Sequence, residues 1–113
     1  MARKIEQQIT DAIRSRRNFI GGNTAVHIIP NAPHAPDIIV QLHGNTIATL
    51  MGGKLTLDWC GWNTPTTSSR LGCVLDALAD DYYACIRKGV GTFIRRMDHS
   101  TVATGTFTVQ VRS

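Results

Sequence analysis

The chain has 113 residues, 42% hydrophobic and 18% charged, with a formal net charge of +4 at pH 7. That length suits one domain, able to bury about two thirds of its unfolded surface without disulfide staples. The composition excludes a disordered chain, and no apolar run approaches the ~18–20 residues of a membrane span.

Met1-Ala2-Arg3-Lys4-Ile5 leads into an amphipathic pattern with no apolar core of a signal peptide, so no secretory leader is expected. Ile5, Ile9 and Ile13 recur every four residues among polar ones, which predicts a short helix over roughly residues 3–15 with a narrow apolar stripe. Arg14, Arg16 and Arg17 stand at its C-terminal end, where cations complement the dipole. Gly21-Gly22 breaks the pattern, and Thr24 to Ile29 reads as a strand. Pro30, Pro33 and Pro36 predict a loop over Pro30–Asp37.

A meander follows. Ile38, Val40 and Leu42 share one strand face, and Gly44-Asn45 reads as a two-residue hairpin turn. Thr46–Met51 is the next strand and Gly52-Gly53 the next turn. Leu55, Leu57 and Trp59 then face the core, with Lys54, Thr56 and Asp58 outward. Thr64 caps a helix with Pro65 at its first position. Leu71, Val74, Leu75, Leu78, Tyr82 and Ile86 extend that helix to Gly89, with Asp76, Asp80, Tyr83 and Arg87 on its wet face. Gly72 inside it is read as permitting close packing. A hairpin of Thr92–Met97 with Thr106–Arg112 ends the chain, burying Phe107, Val109 and Val111. The sum is an α+β fold, an antiparallel sheet of about five to six strands with two helices on one face, in the order α-β-β-β-β-α-β-β.

Gly-Asn-Thr occurs at Gly22-Asn23-Thr24 and again at Gly44-Asn45-Thr46, each entering a strand, as turn chemistry alone would select.

Leu42-His43-Gly44-Asn45-Thr46-Ile47-Ala48, followed by Gly61-Trp62-Asn63-Thr64-Pro65-Thr66-Thr67 and Arg70-Leu71, resembles a family of small uncharacterised proteins of tailed bacteriophages and prophages. The shared pattern is roughly LHGN-x-IA … GW-x-T-x-TT-x-x-RLN, over about residues 38–75, with Gly72 where that family usually has asparagine. The resemblance implies a phage origin, and so a place in the host-cell cytoplasm, and a strand–strand–helix core. It brings no activity.

Charge is segregated. Residues 1–17 hold five basic and two acidic groups, residues 18–86 two and five, and residues 87–113 five and one. If the two ends meet, they form one basic patch of Arg3, Lys4, Arg14, Arg16, Arg17, Arg87, Lys88, Arg95, Arg96 and Arg112, suited to nucleic acid or to an acidic protein partner. A second candidate is the helix start, where Thr64, Thr66, Thr67 and Arg70 can hold an anion, or simply cap and solvate the helix. Trp62 is read as a core plug rather than a stacking platform.

Cys60, Cys73 and Cys85 are an odd set without ligand spacing, consistent with reduced thiols in the cytosol. His27, His34, His43 and His99 are scattered, so no metal or other cofactor is expected. A His43–Cys60 pair would lack an orienting third group, so no catalytic residue is assigned. The expectation is a non-enzymatic phage accessory protein, a homo-oligomer that binds nucleic acid or a nucleic-acid-associated host complex. The alternative is a small structural component of a phage particle acting by symmetric self-association.

Overall fold

Ile5, Ile9 and Ile13 fall along one side of the first helix in the computed structural model, which describes residues 4–111. This helix, α1 (Lys4–Arg14), buries Ile9, Ala12 and Ile13. Arg16 closes it. Its φ of 54° is left-handed, Arg17 N–H reaches back to the Ala12 carbonyl at 2.9 Å, and Arg16 Nη1 donates to the Ile13 carbonyl at 2.6 Å.

Five strands follow: β1 (Phe19–Gly21), β2 (Thr24–Asn31), β3 (His34–Leu42), β4 (Asn45–Met51) and β5 (Lys54–Asp58). Then come α2 (Pro65–Leu78), β6 (Tyr82–Arg87), β7 (Val90–Arg95), β8 (Thr101–Thr104) and β9 (Thr106–Gln110). One antiparallel sheet runs β1-β2-β3-β4-β5-β9, and a second runs β6-β7-β8. The fold is α+β, with the meander in place. Ile38, Val40, Leu42, Leu55, Leu57 and Trp59 are all buried, as their alternation requires.

Four local expectations need correction. The prolines do not make Pro30–Asp37 a loop: β2 continues to Asn31 and β3 resumes at His34. Pro30 sits at the register shift between Ile29 and Asn31, where a strand tolerates a missing donor. The hairpin turn is His43-Gly44 rather than Gly44-Asn45, with φ of 52° and 79°, and Asn45 already pairs with Leu42. The second helix stops at Leu78, and Tyr82–Arg87 is a strand turning through Lys88-Gly89 into β7. The last strand pairs with β5, not β7, setting Phe107 opposite Leu57 and Val109 opposite Leu55.

Gly105 carries the chain from one sheet to the other. Its N–H donates to the Gly91 carbonyl and its carbonyl accepts from Trp59 N–H, both at 2.9 Å. Behind that crossing, Trp59, Phe93, Phe107 and Tyr82 form a run of aromatic contacts with ring centroids 4.9 to 6.3 Å apart. α1 packs along α2, and both contribute to the core beneath the large sheet. Glu6 receives the Ser69 hydroxyl at 2.8 Å while Arg14 reaches the Asp76 carbonyl at 3.2 Å, so the two helices run in the same direction. Among the described residues no helix is long and apolar enough to cross a membrane.

Candidate functional site

Turn geometry gathers one end of the molecule. His43-Gly44, Cys60-Gly61 and Lys88-Gly89 each pair a left-handed non-glycine residue (φ 52°, 55° and 52°) with a left-handed glycine. Such pairs make the tight reversals that strand twist favours. The two Gly-Asn-Thr segments are neighbours here, because His43 N–H donates to the Asn23 carbonyl at 2.8 Å.

α2 starts at the same end. Thr64 is its N-cap: its Oγ1 accepts from Thr67 N–H at 3.3 Å and lies 3.1 Å from the Thr67 hydroxyl. Asn63 ties this start to the second sheet, its Oδ1 accepting from Gly91 N–H at 2.9 Å. Gly91 is required there, since a Cβ would stand 2.3 Å from Trp59 Cδ2 and 2.7 Å from Asn63 Oδ1.

Between the His43-Gly44 turn and the start of α2 lies a cleft of about 250 Å³. Buried Leu42, Ile47 and Trp59 are its apolar lining. Exposed His43, Asn45, Trp62 and Thr66 supply its polar and aromatic edge, beside the capping pair Thr64 and Thr67. The two segments that carry the phage-family resemblance thus meet in one place. Trp62 is no core plug: it is 58% exposed, whereas Trp59 is 1% exposed and takes the interior position. Trp59 Nε1–H is buried without a hydrogen-bond partner.

Of the helix-start residues, Thr64, Thr66 and Thr67 line the cleft, and Arg70 does not. Arg70 is buried, donating from Nε to Thr24 Oγ1 at 2.9 Å and from Nη1 to Ser69 Oγ at 3.0 Å. It fastens α2 to β2.

Among the described residues, the basic side chains fall into separate groups. Arg3 and Arg112 lie outside the described residues. Lys4 and Arg17 flank α1 at opposite ends, about 16 Å or more apart at the helical rise. At the far end of the molecule, Arg14 and Arg96 converge on Asp76. Arg96 Nη2 is 3.5 Å from its carboxylate, and Arg96 Nε donates to the Asp80 carbonyl at 3.0 Å. Arg95 lies 3.7 Å from Asp98, whose carboxyl is held below its ordinary range chiefly by the Ser100 hydroxyl and N–H. Arg95 and Arg96 thus have counter-charges, whereas Arg14 is bonded to a main-chain carbonyl. Arg87 and Lys88 occupy the other end of the β6–β7 hairpin, about 17 Å away at the strand rise. Both are exposed, and neither makes an ion pair with a described residue. The Lys88-Gly89 turn leads through Val90 to Gly91, which Asn63 anchors beside the cleft.

His43 and Cys60 do not form a nucleophile pair. The His43 ring nitrogen approaches Asn23 Nδ2 at 3.4 Å, and the Cys60 thiol donates to the Thr46 carbonyl at 3.2 Å. Burial, then the Asp58 carboxylate, pushes the Cys60 thiol up, away from the thiolate that nucleophilic attack needs. Among the described residues no group of three or more His, Cys, Asp or Glu side chains is placed to hold a metal ion.

The exposed tryptophan and the free cationic turn were hidden in the sequence. The only pointers to them are the three X-Gly pairs, and those declare a relationship only once the strands are paired.

A small α+β domain with an open cleft at one end is the class of protein that fold and site define. The chain belongs to the Kyanoviridae Gp96 protein family, whose model matches residues 2–112, and is therefore a phage protein. No curated protein and no solved structure matches it.

Proposed function

We propose that this phage protein acts by binding, with nucleic acid or a nucleic-acid-associated complex of the host as its target, and catalyses no reaction. Work in the host-cell cytoplasm, without metal or cofactor, follows from that reading. One observation carries it: exposed Arg87 and Lys88, in no ion pair with a described residue, lie on the hairpin whose Gly91 is bonded to Asn63, between the cleft residues Trp62 and Thr64. Phosphate contacts need only positive charge and reach, and an exposed aromatic ring beside them offers the bases a surface. The acidic groups near Arg14, Arg95 and Arg96 weaken that end as a competitor for phosphate. Mobility-shift assays with DNA and RNA across salt test the reading. Binding at ~50 mM salt that falls steeply with ionic strength supports it, and no shift there removes nucleic acid as a target.

A second reading, a particle component that self-associates, is favoured by the outer face of the large sheet. Ile39, Thr49, Thr56 and Thr108 stand opposite one another across four strands as an uncharged row. Ile20 and Ile29 are exposed on the same face. Such a face, together with the unpaired edge of β1, suits a homo-oligomer. Light scattering after size exclusion distinguishes the two: closed rings without oligonucleotide binding favour assembly.

A further inference from the structure

We propose that the cleft receives one unpaired nucleobase, stacked against Trp62, while the strand's backbone continues to Arg87 and Lys88. This rests on the nucleic-acid reading above and narrows it to single strands.

The cleft's size and lining favour a base over a phosphate. Its volume of about 250 Å³ falls just below the ~300–1,000 Å³ of drug-sized sites, leaving room for one planar ring system. Leu42, Ile47 and Trp59 give it an apolar interior, which would strip water from a phosphate without replacing it. His43, Asn45 and Thr66 at the edge carry the donors and acceptors that a base edge can use. Trp59, 1% exposed, closes the floor of the cleft with its ring.

Charge complementarity selects the occupant. An aromatic side chain of a peptide would also suit an apolar cleft, but it brings no anion to Arg87 and Lys88. A nucleotide brings base and phosphate together. Duplex bases are already stacked and paired, so only an unpaired base can enter. Stacking on tryptophan tolerates any base, because every base has a π-face, so little sequence preference is expected.

Tryptophan emission of the full chain, to which Trp59 and Trp62 both contribute, follows binding, and the anisotropy of end-labelled probes gives the affinities of every variant. The probes are a pyrimidine strand of about 12 nucleotides, an abasic strand of the same length, and the matching duplex. The intact strand should quench emission and bind about tenfold or more tightly than either control. Trp62→Ala, at an exposed position, should erase that preference and leave the salt slope unchanged. The double variant Arg87→Ala/Lys88→Ala should keep the preference and lower the slope by about 1.4. Equal binding of all three probes, unaffected by Trp62→Ala, overturns the base cleft and leaves the nucleic-acid reading standing. No binding of any probe overturns both. An aromatic peptide that binds while the strands do not also overturns both and assigns the cleft to a protein partner.

Discussion

Lys88 holds its charge on a backbone that asparagine or glycine would adopt more readily. Its φ of 52° is left-handed, like those of His43 and Cys60, and a residue with a Cβ gives up about 1–2 kcal/mol there. Retaining lysine at that turn makes sense if its charge is used. Lys88→Asn should therefore raise stability by up to ~1 kcal/mol while weakening oligonucleotide binding. Urea midpoints and fluorescence titrations would read those opposite changes, and loss of both stability and binding would contradict the assignment. Gly91 presents the reverse case. An alanine Cβ would fall 2.3 Å from Trp59 Cδ2 and 2.5 Å from its Cγ, so Gly91→Ala should cost at least ~1–3 kcal/mol from overpacking. It should also dislodge Asn63, altering the cleft together with the core. An unchanged urea midpoint in that variant would mean that the crossing of the two sheets is looser than described.

Among the elements, α2 joins the cleft to the rest of the fold, and two of its residues can be tested apart from binding. Gly72 does not permit close packing as its sequence context suggests: a Cβ there meets nothing within 4 Å. Gly72→Ala should raise stability by ~1 kcal/mol, seen as a higher urea midpoint with oligonucleotide affinity unchanged. Cys73 is buried on the same helix, and burial, opposed by a hydrogen bond with Thr10, pushes its thiol above the ordinary 9.0. The folded state then keeps a proton that the unfolded chain releases. This contribution is whole below pH ~9 and is lost as pH rises through the folded value. The urea midpoint should decline above pH ~9, and Cys73→Ala should flatten that decline. The meander was legible from its alternation, and α1 from its isoleucines. The end of α2 was not, for a definite reason: Leu78, Tyr82 and Ile86 are four apart, a spacing that shares a face in a strand as well as in a helix. The partner of β9 was equally hidden, because alternation identifies a strand and its buried face but not the strand beside it. The two segments that build the cleft stood out in the sequence, but their meeting depends on β3–β4 pairing and on the Asn63–Gly91 bond.

At the scale of the whole molecule, the net charge of +4 says less than where its counter-charges lie. The chain's basic ends suggested one patch, and the β6–β7 hairpin instead sets Arg87 and Lys88 apart from Arg95 and Arg96. Acidic residues of α2 and of the segment after it sit beside the far pair. The near pair makes no ion pair with a described residue, and its hairpin is tied to the cleft end through the Asn63–Gly91 bond. The most direct test compares single-strand affinity across salt for the parent protein, Arg87→Ala/Lys88→Ala and Arg95→Ala/Arg96→Ala. The first double variant should lose affinity and lower the salt slope by about 1.4, and the second should stay near the parent. Equal losses in both, or a loss confined to the second, would contradict a binding site at the cleft end.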